Sequence, residues 1–145
     1  MTYISSEPTA APPQAATTQA ATTHAEPARP TILFVSPVAE IKGGAERVLV
    51  DMLANPAIRP ALAVPGEGQL AELARERGIP VRLFDLEAVA TVHRPPRPRD
   101  LLRAMNGARR CARRLAAIAA ETGASLLHTN GLKVHVIGGL VRLLH

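Results

Sequence analysis

Four times in succession, a short apolar run is followed across a loop by a segment with helical apolar spacing, and that alternation constrains the fold more than any other feature. The runs lie at 31–38 (TILFVSPV), 60–64 (PALAV), 81–86 (VRLFDL) and 125–129 (SLLHT). Short, nearly continuous apolar strands suit a sheet covered on both faces, which is the habit of parallel sheets. The intervening segments predict helices over 45–53, 69–77, 101–122 and 132–144. Strands alternating with helices require parallel pairing through right-handed crossovers. The expected fold is therefore α/β: a Rossmann-like, doubly wound parallel sheet.

Local signals place the ends of these elements. Asn55-Pro56 stops the first helix, and Gly78, two residues before Pro80, suits a left-handed C-cap for the second. Asp100 and Asn130 read as N-caps of the third and fourth helices, and Gly123 ends the third. The long third helix is expected to turn Leu101, Met105, Ala108, Ala112, Leu115 and Ala119 inward, with Arg99, Arg103, Arg110 and Arg114 opposite. The last helix offers Val136, Ile137, Leu140, Val141 and Leu144 as an apolar face. In the usual order for this fold the first strand is central and the fourth lies beside it. With no fifth run, Leu126 and Leu127 would sit on an unpaired edge, which natural proteins avoid. Residues 30–145 are accordingly expected to form an incomplete domain, aggregation-prone and inactive alone.

Residues 1–29 differ from the rest. They are mostly Ala, Thr, Pro and Gln, with almost no large apolar side chain after Ile4. Such a stretch buries too little surface to offset its chain entropy, so a disordered tail is expected. It carries Glu7 where a secretory leader has basic residues, and no leader-length apolar run follows. No run anywhere is long and apolar enough to span a bilayer. A lone cysteine, Cys111, cannot form an internal disulfide, and a cytoplasmic location, with peripheral membrane contact, is expected. Cys111 itself reads as a packing residue.

Composition also excludes some functions. Aromatic residues make up 2% of the chain and Trp is absent, so platforms for stacking bases are scarce and nucleic acid is not an expected partner. The formal charge of +5 is local, because 94–114 holds eight Arg against one acid, Asp100. A basic helix face can touch anionic lipid through Arg99, Arg103, Arg110 and Arg114, although it serves equally well as a solvated surface.

Two groups of residues sit where this architecture binds ligands, beyond the carboxyl ends of the strands. The loop Lys42-Gly43-Gly44-Ala45-Glu46 joins the first strand to the first helix. Its glycines allow close backbone approach, and the helix start offers free N–H groups to an anion. Neither G-x-G-x-x-G nor G-x-x-x-x-G-K-[ST] occurs, which weakens dinucleotide and P-loop readings. The second group is His128, Asn130, Lys133 and His135, at the exit of the fourth strand and the start of the last helix. A cation there can hold a phosphate or carboxylate, while a packed histidine, a plain cap and a solvated lysine describe the same residues without a ligand. No metal-ligand pattern is present.

Three segments, ILFVSPVAEIKGGAERVLVDML, VPGEGQLAELARERGIPVRLFDL and SLLHTNGLKVHVIGGL, together resemble the N-terminal domain of family 4 glycosyltransferases of the GT-B fold. The resemblance spans about 30–145. It implies an enzyme of two Rossmann-like domains that moves a sugar from a nucleotide-sugar donor to a hydroxyl of a glycan or lipid-linked acceptor. The N-terminal domain would receive the acceptor. The C-terminal domain, with its Glu-x7-Glu element, would hold the donor, which is a substrate and not a cofactor. Gly43 and Gly44 then match backbone positions near the donor phosphate or acceptor, Glu46 matches the acid at the helix start, and 128–135 match the cleft wall. The family's usual histidine follows a fifth strand, so no catalytic base is assigned. A non-catalytic remnant or regulatory module, or another GT-B enzyme such as a nucleotide-sugar epimerase, remains an alternative. Donor sugar, acceptor and anomeric outcome are not specified by these residues.

Overall fold

The computed structural model describes residues 29–86 and 98–144. The expected disordered tail, apart from Arg29, and nearly all of the Pro- and Arg-rich connection at 91–98 lie outside the described residues.

Four parallel strands form one sheet in the order β3-β2-β1-β4. They are β1 (Thr31–Val35), β2 (Arg59–Val64), β3 (Val81–Leu83) and β4 (Leu126–Thr129). The helices are α1 (Gly44–Leu53), α2 (Gln69–Glu76), α3 (Pro98–Thr122) and α4 (Leu132–Leu144). This is the expected Rossmann-like α/β arrangement, with β1 central and β4 beside it at an edge. Register pairs Phe34 with Leu62 on one side and with His128 on the other.

Alternate residues of each strand feed two cores. Phe34, Leu62 and Val64 pack with Leu49 and Leu53 of α1 and with Leu70, Ala71 and Ala74 of α2. Leu33, Val35, Ala61 and Ala63 point the other way, to Leu115 and Ile118 of α3 and Val134 and Ile137 of α4. Both faces of the central strands are thus closed, and each large side chain so buried contributes about 1.5–3 kcal/mol. Gly78, at φ +71°, takes the left-handed turn that ends α2.

Several boundaries differ from the sequence-based expectation. β3 stops at Leu83, because Phe84 N–H makes a last bond to the Val64 carbonyl (3.1 Å) and β2 then breaks into Pro65-Gly66. α3 starts at Pro98, so Asp100 lies in its first turn instead of capping it. Proline suits that first position, and the acid there faces the positive end of the helix dipole. Leu101 and Met105 were expected inward but are 54% and 46% exposed; Ala112 and Leu115 are buried as expected, and Cys111 and Ile118 complete the buried stripe. The reason is length: a 25-residue helix runs about 37 Å against roughly 20 Å for the longest strand, so its first turns overhang the sheet. In α4, Val136 is exposed and Val134 is buried in its place.

Candidate functional site

The carboxyl ends of the strands converge on the loops that start α1, α2 and α4, and hydrogen bonds root these loops to one another. Ser36 N–H donates to the Ala63 carbonyl (3.0 Å), and Asn130 N–H to the Val35 carbonyl (2.8 Å). The buried Ser36 hydroxyl closes its own turn by donating to the Val38 carbonyl at 2.8 Å. Ala39, in the β1–α1 loop, accepts from Leu70 N–H at the start of α2 (2.9 Å). Gly68 lies so close that a Cβ there would meet the Ala39 carbonyl oxygen at 2.8 Å. Gly131, at φ +123°, starts α4 against the ring of Pro37. The first, second and fourth loops are therefore held as one platform.

The loop after β1 supplies Gly43, Gly44 and Glu46. Gly43 is the N-cap of α1, and its N–H donates to the Glu46 carboxylate at 2.8 Å. The carboxylate expected to touch substrate is thereby engaged in capping its own helix, half of a capping box. Gly44 is exposed, with open space where a Cβ would stand. The fold itself does not require glycine at 44, which stands in the first turn of α1.

The four residues of the second group take different places. His128 is half-buried with its ring against Phe34, centroids 5.2 Å apart and planes tilted by 52°. It sits on the sheet face shared with α1 and α2. Asn130 does not cap α4: the Gly131 carbonyl accepts the first helical bond, from His135 N–H (3.0 Å). The extended chain leaving β4 needs one more residue to turn, and the positive φ of that turn suits glycine. The Asn130 side-chain amide nitrogen is buried without a partner among the described residues. Lys133 is exposed. His135 reaches back one turn, its Nδ1 3.0 Å from the Thr129 hydroxyl. Thr129 was not singled out from the sequence, and only its place at the strand exit, six residues before His135, hints at the pairing.

None of the seven residues lines either of two concavities formed by the described residues. One of about 490 Å³ lies at the carboxyl end, between Pro65 and the chain leaving β3. Another, of about 820 Å³, lies at the opposite pole. Among the described residues, no group of three or more His, Cys, Asp or Glu is placed to hold a metal ion, and no helix is long and apolar enough to cross a membrane. Cys111 is buried at the inner face of α3, and burial, followed by the nearby Asp85 charge, pushes its thiol up to about 11. It is held protonated near neutrality, in keeping with a packing role.

No protein-family profile matches this chain, and no curated protein sequence matches it. Solved structures do. The crystal structure of Anabaena Alr3699/HepE in complex with UDP superposes with a TM-score of 0.54 at 20% identity, covering 79% of this chain and 26% of that one. The same protein in complex with UDP and glucose gives 0.52 at 22% identity, and in complex with UDP-glucose 0.51 at 23%. In each case this chain spans about a quarter of the other's length. At such identities the likeness shows fold alone. The chain thus has the architecture of part of a GT-B-type Rossmann-like domain.

Proposed function

We propose that this chain forms the acceptor-side part of a glycosyltransferase resembling family 4, one that moves a sugar from a nucleotide-sugar donor to a hydroxyl of a glycan or lipid-linked acceptor. The observation that carries the proposal is the fold shared with HepE, a protein solved with UDP, with UDP and glucose, and with UDP-glucose. The exposed Gly44 and the start of α1 stand at the sheet pole where this architecture binds ligands. In this reading Gly43 and Gly44 let a phosphate or sugar approach the backbone. Lys133 and His135 add charge and a hydrogen-bonding ring, and His128 and Asn130 shape the wall. The chain supplies positioning and charge stabilisation, and the residues that hold the donor lie in a second domain. The protein works in the cytoplasm.

The acceptor is proposed to lie at an anionic membrane surface. Arg99, Arg103, Arg110 and Arg114 are exposed on α3, and the overhanging first turns also expose Leu101, Leu102 and Met105 beside them. A helix with apolar side chains flanked by arginines suits an anionic lipid interface.

The test begins with the coding sequence beyond His145. A fifth strand and a Glu-x7-Glu segment are expected, and the extended polypeptide should transfer sugar from a nucleotide-sugar panel while residues 1–145 alone do not. A stop codon directly after His145 would favour a non-catalytic module. Turnover by the 145-residue chain would contradict the two-domain reading.

A further inference from the structure

We propose that the cleft at the amino-terminal pole of the sheet binds a small anionic amphiphile, an oxyanion head on a short apolar chain, at a site separate from the carboxyl-end loops. The cleft encloses about 820 Å³, within the usual range for small-molecule sites. Its floor is apolar: Leu53 and Ile79 are buried, and Ile58 is half-buried. Its rim is basic, with Arg59, Arg77 and Arg82 set against Glu121.

The cations there are not all accounted for by the fold. α1, α2 and α3 end at this pole, and their unpaired carbonyls attract positive charge. That explains Arg77, whose Nη1 donates to the Val50 carbonyl of α1 at 3.1 Å. Arg82 donates to Glu121 through Nε at 3.4 Å and to the Val81 carbonyl through Nη1 at 3.2 Å. Glu121 is also held by Arg114 at 3.1 Å. Arg59 opens β2, is exposed, and has no side-chain partner among the described residues. Each guanidinium carries five N–H donors in a planar fork, so unused donors remain above the apolar floor. A phosphate or carboxylate suits that fork, and an attached chain suits the floor.

The test is calorimetric titration of the 145-residue chain with decyl phosphate below its micelle concentration, with inorganic phosphate and decanol as separate halves. Decyl phosphate should bind more tightly than either half. Arg59→Gln should weaken it about five-fold and Glu121→Gln should tighten it about three-fold, opposite signs that a merely structural effect does not produce. Ala54→Trp, which fills the cleft from an exposed position, should abolish binding, with circular dichroism confirming that each variant is folded. Failure of decyl phosphate to bind, decanol binding equally well, or unchanged affinity in both Arg59→Gln and Ala54→Trp would overturn the assignment.

Discussion

The centre of the sheet and its β4 edge are built from similar residues but stand in different surroundings. Leu33, Phe34 and Val35 of β1, and Ala61 to Val64 of β2, have at most 1% of their surface exposed. On β4, Leu127 and Thr129 face α4, where Gly138 is so close that a Cβ would meet Thr129 at 2.9 Å. The opposite face carries Leu126, 56% exposed, and His128 leaning on Phe34. α1 and α2 close that face over β1, β2 and β3, and no described helix closes it over β4. An apolar strand is therefore not evidence of local stability. The proposed ligand wall stands on an edge strand with one face left open, as binding regions often do.

The largest difference is expected from truncating one apolar side chain at the centre of the sheet and one at its β4 edge. Phe34→Ala should cost about 3–5 kcal/mol and Leu126→Ala less than about 1, because only the first opens a cavity. Urea unfolding of both variants measures the gap, and equal losses would show that the edge is as well packed as the centre. Next come two loop glycines. Gly68→Ala should cost about 1–3 kcal/mol, since its Cβ meets the Ala39 carbonyl oxygen at 2.8 Å, whereas Gly44→Ala, which meets nothing, should be neutral or stabilise by up to about 1 kcal/mol.

A smaller effect is pH-dependent. The Cys111 thiol, raised by burial from 9.0 to about 11 when folded, is more easily ionised in the unfolded chain. Its contribution is fully present below pH 9 and is lost as pH rises toward 11. Thermal unfolding between those values should fall more steeply in the native chain than in Cys111→Ala. Parallel slopes would show that the thiol is not coupled to the α3 core. Smallest in stability is Leu126→Lys, expected within about 0.5 kcal/mol. It should nonetheless reduce self-association by sedimentation, because a charge guards an open strand edge. Unchanged association would remove the edge as its cause.

The strand–helix order, the strand neighbours and the glycine ends at Gly78 and Gly123 were legible because they rest on period and local turn chemistry. The inner face of α3 was misread at Leu101 and Met105, since periodicity gives a helix's angle but not how far it overhangs the sheet. Asn130 looked like a cap because its chemistry suits one, yet the turn out of β4 hands that place to Gly131. Glu46 was legible as an acid at the helix start, but its bond to Gly43 N–H emerged only with the backbone. The pole cleft was invisible in the sequence, because Arg59, Arg77 and Arg82 lie on three separate elements.

Amide chemical-shift mapping with UDP-glucose probes the proposed ligand contact at the carboxyl ends of β1 and β4. The expected result is weak binding, on the order of millimolar, with shifts concentrated at 42–46 and 128–135. No shifts at these segments, or shifts confined to the Arg59–Arg77 pole, would rule out ligand contact there.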